Sequence, residues 1–581
     1  PSNSTVTTQE VEVTEELSQN DSTPTPRVLR PTPLPSPQAT PETSDPVLMA
    51  PATNDPQGTL KQLQDVVVPV NDVYDIARRL EGKLNIPPTL EAAQGPFQPG
   101  DQKTFWVSNA DSNQNFQIQA TLQYITEHAY FWIEDGIRFR KSELKALAET
   151  FEEQIYPTNR EFFGSEWTPG VDGDPHIYIL YARNLGDNLA GYFSSTDSYN
   201  PLVQEYSNGH EMFLFNADTT ELDEDYTYGV LAHEFQHMIH WYRDRNESTW
   251  MNEGFSDLAM FLNGYRVGGH DFLYILNPDL QLNDWPHDNS DTSPHYGASF
   301  LFLNYFLGRF GEEATKALVA HPENDLESMD ALLTEMGATD ASTGNTLNAD
   351  DVFADWVVAS YLQDETVGDG RYDYLLYPGA PQASDTEAIY DCDSKIHTRD
   401  VRQYGVDYIR LYCRESTALQ FEGSTLVQLL PEDAHSGVYA FWSNKGDESD
   451  MTLTRSFDFS NYAGPLTLSY WTWYDIEKDF DYVYLLASED GEDWQILTTP
   501  SGTDADPTGA NYGWGYNGYS GDSPKWIQET VDISRFAGKK VALRFEYITD
   551  AAVNGEGFLL DDVAIPEIGY FSDFETDNGG W

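Results

Sequence analysis

The chain of 581 residues has few cysteines, few basic residues and no long apolar run. Its two cysteines, Cys392 and Cys413, exclude a disulfide-rich scaffold and a zinc finger, and they fit either one disulfide or two buried thiols. Only 32 Lys and Arg stand against 96 Asp and Glu, so the formal net charge is −64 and repulsion from phosphates argues against a nucleic-acid partner. Because no stretch of 18 or more apolar residues occurs, we expect no transmembrane segment.

The first 60 residues have the composition of a disordered tether. Residues 1–60 hold 11 of the 32 prolines, many Thr and Ser, and no Phe, Trp or Tyr, so they offer no core to bury. The rest of the chain is rich enough in apolar and aromatic residues, at 40% and 14% of the whole sequence, to fold into two to four domains.

The middle of the chain alternates strand patterns with helix patterns. Period-two alternation predicts strands between about 100 and 220, and apolar residues at helical spacing dominate from 226 to about 375. Strands followed by helices predict an α+β domain, which we place at 61–375. A connecting segment follows at 376–414. Residues 415–581 carry short strand patterns separated by Asp, Gly and Asn turns, which predict an all-β sandwich.

One segment carries a metal-binding pattern. His233-Glu234-Phe-Gln-His237 matches the H-E-x-x-H motif, in which two histidines four residues apart lie on one face of a helix and can bind one zinc ion. Glu234 lies beside the pair, where it can accept a proton from metal-bound water. The alternative is that the two histidines lie on a buried helix and only form hydrogen bonds within the protein.

A second segment completes the predicted site. The run Trp250-Met-Asn-Glu253-Gly-Phe-Ser-Asp257 places Glu253 sixteen residues after His237 and a second carboxylate, Asp257, four residues further on. Glu253 can be the third protein ligand, which leaves a fourth zinc position for water. Asp257 can accept a hydrogen bond from the far nitrogen of a zinc-bound histidine. His240, three residues beyond His237, is expected to pack or to support a ligand rather than to bind the metal.

A metal site that activates water for hydrolysis also needs a group that stabilises the oxyanion of a tetrahedral intermediate. Tyr296 or His295, at the start of a predicted helix, can supply this donor, and the alternative for Tyr296 is a capping and packing role.

The two segments together resemble the gluzincin metallopeptidases, and the string around His233–His237 with the Trp-Met-Asn-Glu-Gly run looks most like the hyicolysin type. The likeness covers roughly residues 100–375 and implies a zincin-like fold. It also implies that Glu211-Met-Phe-Leu-Phe215, just before the motif helix, is the edge strand that pairs with substrate. A metzincin is excluded because His240 and Arg243 replace the required Gly and third His. The Gly-x-Met-Glu-Asn element of zinc aminopeptidases is absent, which favours an endopeptidase.

The C-terminal region resembles the jelly-roll modules of immune inhibitor A-type bacterial peptidases and, more distantly, MAM domains. The likeness rests on Gly437–Asn444, Tyr470–Asp475 and Gly557–Val563. A binding or stabilising role follows, with a cell-surface or extracellular ligand as one option. Asp561 and Asp562 offer oxygen ligands of the kind that Ca²⁺ prefers, and the alternative is a polar strand end.

The sequence therefore predicts an exported, extracellular or cell-surface zinc endopeptidase. It hydrolyses protein or peptide substrates by Glu234-assisted attack of zinc-bound water. A zinc aminopeptidase and a non-catalytic cell-surface adhesion protein remain as alternatives.

Overall fold

The computed structural model describes residues 59–581 with gaps at 62, 64–65, 92–95, 287–291, 391, 393–395 and 425–427. The predicted tether lies outside the described residues, apart from its last two positions. The described residues belong to one compact unit. Among the residues that the structure describes, no helix is long and apolar enough to cross a membrane.

A six-stranded mixed sheet forms the first part of this unit. Its strands are β1 (Gln102–Asn109), β2 (Gln114–Ile125), β3 (Ala129–Glu134), β4 (Ile177–Ala182), β5 (Gly191–Phe193) and β6 (Met212–Asn216). The strand order is β1-β2-β3-β4-β6-β5. The pairs β3-β4 and β4-β6 are parallel, and the other pairs are antiparallel. β4 and β6 are buried along their whole length, as expected for strands covered on both faces.

This order corrects the expectation that residues 211–215 form the edge strand. β6 lies between β4 and β5, and the described strands place β5 at the end of the sheet. The three residues of β5 are too short a run to give a clear alternation pattern, so the longer and more apolar β6 gave the stronger sequence signal.

Among the described residues, helices lie before, between and after these strands in the chain. They are α1 (Val73–Glu81), α2 (Lys141–Thr150), α3 (Tyr156–Phe163), α4 (Asp225–Arg243), α5 (Thr249–Leu262), α6 (His270–Leu276), α7 (Ser293–Phe310), α8 (Glu312–Val319), α9 (Asp325–Met336) and α10 (Ala349–Leu362). A π-helical turn, Phe151–Ile155, joins α2 to α3. One apolar core runs from β3 through α4, α5 and α7 to α10. The helices and sheets confirm the α+β prediction at this level.

The C-terminal region is all-β, as predicted. Its strands are β9 (Phe441–Trp442), β10 (Asp450–Asp458), β11 (Thr467–Asp475), β12 (Tyr482–Ser488), β13 (Gln495–Ile496), β14 (Ile527–Asp532), β15 (Lys540–Ile548), β16 (Gly557–Ile565) and β17 (Tyr570–Ser572). They form a sheet of order β10-β15-β12-β13 and a second sheet of order β14-β11-β16-β17, with β9 also on β16. Residues of both sheets share one core, so the two sheets form a sandwich.

Helix α1 joins the two parts. Its Ile76 packs against Tyr482 and Tyr484 of the sandwich, whereas Val73 and Ala77 pack against Tyr199 and Trp241. Arg79 is nearly buried and forms ion pairs with Asp450 and Glu546 of the sandwich. The helix therefore fills the junction between the α+β part and the sandwich, a role that its sequence did not predict.

The connecting segment contains a small parallel pair of strands, β7 (Glu387–Ile389) and β8 (Ile409–Leu411). Cys392 and Cys413 lie next to these strands and form a disulfide, with Cα atoms 5.4 Å apart. The structure thus selects the bridged alternative of the two that the sequence left open.

Candidate metal centre

Two helices supply the predicted metal ligands. α4 carries His233, Glu234 and His237, and α5 carries Glu253 and Asp257. Most residues of α4 are buried, and the helix packs against β5 and β6 of the sheet and against α5. Gly254 lets α5 approach α7 closely, since a Cβ at this position would lie 2.8 Å from Leu303 and 2.9 Å from Ser299.

Three side-chain atoms converge between these helices. Nε2 of His233 lies 3.1 Å from Nε2 of His237, and Oε2 of Glu253 lies 3.2 Å and 3.4 Å from these two atoms. Four tetrahedral ligands at about 2.0–2.1 Å from a zinc ion are roughly 3.3–3.4 Å apart. The spacing of the three atoms therefore fits one zinc ion with a fourth position left over.

The opposite nitrogens of both imidazoles are held by acceptors. Nδ1 of His233 lies 3.1 Å from Oδ1 of Asp257, and Nδ1 of His237 lies 2.9 Å from Oδ1 of Asn252. A carboxylate and an amide oxygen can only accept, so each Nδ1 carries the proton and each Nε2 presents a lone pair. Asp257 thus lies beside His233, and its role as a support of that histidine stays a prediction. Asn252 is a further support of a histidine. It lies within the predicted motif, but no role was predicted for it from the sequence.

The environment of these atoms favours a cation. Oε2 of Glu253 is buried and accepts no hydrogen bond. Burial by itself would raise the pKa of Glu253, but the imidazoles of His237 and His233 outweigh burial and hold this pKa well below its usual range. Burial would likewise lower the pKa of His233, yet the carboxylates of Asp257 and Glu253 raise it well above its ordinary value. Two lone pairs and an unpartnered carboxylate oxygen facing one point are the donor set of a divalent metal.

Glu234 lies against the edge strand. Its side chain is buried, and burial raises its pKa, while a hydrogen bond from the backbone of Phe193 opposes the shift. Gly191 of β5 approaches so closely that a Cβ there would lie 3.2 Å from Oε1 of Glu234 and 2.6 Å from the carbonyl of Leu214. The edge strand thus packs against one side of Glu234, the predicted general base, and limits its movement.

Tyr296 reaches the same centre from α7. Its ring centroid is 6.2 Å from that of His233. Burial and the carboxylates of Glu253 and Asp257 raise its pKa well above 10, so its hydroxyl keeps the proton that a donor needs. His295 instead lies beside Trp285, with ring centroids 6.0 Å apart.

Two further histidines lie near the centre. His270, at the start of α6, places its Nδ1 3.8 Å from Oδ2 of Asp257 and its ring 5.2 Å from that of Tyr296. No motif marks His270, so only the fold brings it here. His240 packs against Phe255, and burial lowers its pKa to about 3. Its nitrogens are not among the three converging atoms, in line with the packing role predicted for it.

A cleft of about 880 Å³ opens beside the centre. His237, Asn252 and Glu253 line one end of it, and Tyr192 and Phe193 of the edge strand line its side. Its far wall belongs to the sandwich and includes Glu477, Phe480, Tyr519, Asp550 and Val553. An elongated substrate beside β5 would therefore contact both parts of the molecule.

The structure brings the predicted calcium pair together with His435. Oδ2 of Asp562 lies 2.7 Å from Nδ1 of His435, and its Oδ1 accepts the hydroxyl of Ser436. The oxygens of Asp561 accept the backbone N–H groups of Ser436 and Asp562. Protein donors thus engage all four oxygens, and a calcium ion at this position stays a prediction.

A second carboxylate group was not predicted from the sequence. It joins Glu477, Asp481 and Asp550 on the sandwich. Asp481 accepts the hydroxyl of Tyr547 at 2.8 Å and the backbone N–H of Asp550 at 3.2 Å. Glu477 and Asp481 are four residues apart, but Asp550 lies 69 residues after Asp481, so no short motif marks the group.

Comparison with known proteins relates the chain to metalloproteases. The family profile "Immune inhibitor A-like, MAM domain" matches residues 424–575. Neutral metalloprotease ShpI of Staphylococcus hyicus is 25% identical over 254 residues, which cover 40% of this chain and 57% of that protein. Immune inhibitor A of Bacillus thuringiensis subsp. alesti is 36% identical over 131 residues, covering 22% of this chain and 17% of that protein. Pre-pro-metalloprotease PrtV of Vibrio cholerae is 30% identical over 129 residues, which cover 22% of this chain and 13% of that protein.

These similarities confirm the predicted kinship. The chain has an immune inhibitor A-like module at its C-terminal end and relatives that are metalloproteases, which implies a metal cofactor. The chain spans 57% of the length of the Staphylococcus hyicus relative and less than a fifth of the other two.

Proposed function

We propose that this relative of the metalloproteases is a zinc-dependent endopeptidase of the gluzincin type with a zincin-like catalytic domain. The convergence of His233, His237 and Glu253 within 3.1–3.4 Å of one another carries the proposal. The three residues hold zinc, and Asp257 and Asn252 orient the two imidazoles. The domain limits predicted from the sequence, 61–375 and 415–581, are part of the proposal.

A bound zinc ion supplies Lewis acidity that activates water and polarises the scissile carbonyl. Glu234 takes the proton of the attacking water and passes it to the leaving amine. Its burial raises its pKa, which strengthens it as a base once it is ionised. The hydroxyl of Tyr296 donates a hydrogen bond to the carbonyl oxygen as negative charge develops there.

The substrate is a protein or peptide in extended conformation. β5 ends the sheet and lines the cleft, so its outer edge can pair with an extended peptide through backbone hydrogen bonds. Backbone pairing along a cleft suits an internal peptide bond better than a free amino terminus.

We place the activity outside the cell or at its surface. The Cys392–Cys413 disulfide supports this location, because disulfides persist in oxidising compartments. The sandwich has a binding or stabilising role.

Metal analysis and a casein assay on the full chain test the function. We expect about one zinc per chain, casein cleavage that a chelator abolishes, and recovery when zinc is restored. Glu234→Gln keeps the shape of the side chain but removes the base. It should bind zinc like the wild type and lose at least about 10³-fold in kcat. Casein cleavage at the wild-type rate by Glu234→Gln would refute the assignment.

Peptide substrates separate the alternatives. An endopeptidase cleaves peptides with blocked amino termini, whereas an aminopeptidase cleaves only amino-acid anilides and free amino termini. A zinc-loaded chain that cleaves neither kind of substrate would favour the adhesion protein.

A further inference from the structure

Two adjacent residues of the sandwich reach into the catalytic part of the molecule. Asp447 and Glu448 lie just before strand β10, and both side chains are buried. We propose that Asp447 and Glu448 are positioning residues that hold the two ligand-bearing helices in register and so set the affinity of the metal centre. We call this pair the Asp447–Glu448 clamp. The inference rests on the proposed zinc site and goes beyond it, since it assigns a role at that site to the sandwich.

Asp447 holds helix α5 at its first residue. Oδ2 of Asp447 accepts the hydroxyl of Thr249 at 2.6 Å, and the backbone N–H of Val553 donates to the same hydroxyl oxygen at 3.2 Å. Asn554 donates to the other oxygen of Asp447 at 2.8 Å. Thr249 is buried and thus receives contacts from two separate segments of the sandwich.

The first turn of α5 carries two groups of the metal centre. Asn252, which orients His237, is three residues after Thr249, and the ligand Glu253 is four residues after it, on the same helical face. A shift of this turn therefore moves a ligand and the support of another ligand together. Mutation of a group that orients a metal ligand, as Asn252 orients His237, typically costs 10–100-fold in metal affinity or activity.

Glu448 holds helix α4. The indole N–H of Trp241 donates to Oε1 of Glu448 at 3.2 Å, and Trp241 is four residues after His237. Burial raises the pKa of Glu448, and the charge of Arg245, one turn further along the chain, opposes this shift. The clamp therefore contacts each ligand-bearing helix about one turn from a ligand.

The clamp is itself fixed in place. The backbone of Glu448 is left-handed, with φ 46°, a conformation that persists in a non-glycine residue only where surrounding contacts determine it. Its N–H donates to the carbonyl of Asp550 at 2.5 Å, and its carbonyl accepts the N–H of Asn71 at 2.6 Å. Because the two residues are fixed next to a sandwich strand, they can hold the helices that they contact in a defined position.

The affinity of the full chain for Zn²⁺, measured by competition with a chromophoric chelator, tests the clamp. We expect Asp447→Ala to weaken binding at least about tenfold, and Asp447→Asn, which keeps an acceptor for Thr249, to stay within about threefold of the wild type. The absorption spectrum of the Co²⁺-substituted chain should shift in Asp447→Ala, because it reports the arrangement of the ligands.

A matched control separates the clamp from general destabilisation. Glu529 is an equally buried sandwich carboxylate whose partner is Ser501, within the sandwich. Glu529→Ala should lower the unfolding temperature yet leave Zn²⁺ affinity and the Co²⁺ spectrum unchanged. Equal losses of affinity in Glu529→Ala and Asp447→Ala would overturn the clamp.

A second pair of variants, at Thr249, tests the proposal if Asp447→Ala does not fold. Thr249→Val removes the hydroxyl and keeps the shape, whereas Thr249→Ser keeps the hydroxyl. Zn²⁺ binding at wild-type affinity by Thr249→Val would refute the proposal. That outcome would leave the proposed peptidase standing, whereas a wild-type chain that binds zinc but cleaves no peptide would refute the peptidase alone.

Discussion

At the scale of single residues, the centre is a set of groups whose protons are fixed by their neighbours. Asp257 and Asn252 accept from the Nδ1 atoms of His233 and His237, so both Nε2 atoms face the metal position. Tyr296 is kept protonated by burial and by nearby carboxylates. The neighbours thus fix the orientation of both imidazoles and the proton of Tyr296.

Tyr296→Phe tests the oxyanion role at this scale. We expect kcat to fall by about 10²-fold with little change in KM, because the lost hydrogen bond acts mainly in the transition state. Steady-state kinetics on a peptide substrate, with zinc content measured in parallel, checks this. Tyr228→Phe, on the outer part of α4 beside Tyr265, is the control and should keep wild-type kcat. An unchanged kcat in Tyr296→Phe would leave the tyrosine with the capping and packing role.

At the scale of elements, the catalytic geometry depends on how closely β5 approaches α4. Gly191 permits this contact because the carbonyl of Leu214, Val230 and Glu234 occupy the space that a side chain would need. The base is thus held between the sheet edge and its own helix. The same edge lines the cleft, so the proposed substrate pairing and the position of the proposed base both depend on the three residues of β5.

Gly191→Ala should separate the edge strand from α4. The added Cβ would lie 2.6 Å from the Leu214 carbonyl and 2.9 Å from Val230, so the backbone must move. We expect a loss of about 1–3 kcal/mol in the free energy of unfolding and at least a tenfold loss in kcat/KM. Denaturant titration and peptide kinetics measure the two effects.

Gly308→Ala is the matched control for this change. Gly308 lies in helix α7, and the nearest atom to an added Cβ there is 3.6 Å away. This variant should keep full activity and gain up to about 1 kcal/mol, because alanine favours a helix over glycine. Equal behaviour of the two variants would show that β5 does not constrain the base.

At the scale of the whole molecule, negative charge is abundant and part of it is buried. The net charge is −64, and burial raises the pKa of Asp197 and Asp244 to about 7 and of Glu211 and Glu247 to about 8. In the unfolded chain such groups titrate near pH 4. Between about pH 4 and pH 7–8 the folded state therefore holds protons that the unfolded state has released.

Stability should fall as pH rises through this window. Because the folded state binds more protons, the free energy of unfolding decreases with rising pH and is larger at pH 5.5 than at pH 8. Asp197→Asn removes one such titration and should shrink the difference between the two pH values by about 1–3 kcal/mol. Denaturant unfolding at both pH values, with zinc in excess, measures this. The exposed Asp522→Asn is the control, and a slope unchanged by Asp197→Asn would contradict the expectation.

Local spacing predicted the main elements and proposed the candidate ligand set. Residues four apart on a helix share a face whatever surrounds them, so His233 with His237, and Glu253 with Asp257, could be paired from the sequence alone. Strong apolar periodicity likewise marked helices such as α4, α5 and α7, and the sandwich strands β11, β12 and β15.

Only tertiary structure decided what depends on contacts between distant segments. β5 rather than β6 ends the sheet because strand order follows from long-range pairing. His270 joins the centre, and Asp447 and Glu448 reach helices about 200 residues away in sequence, through packing that no local pattern encodes. The sequence determined the chemistry of the side chains, because ligand type and helical spacing are local properties. The fold determined which side chains meet, because such meetings depend on the packing of the whole chain.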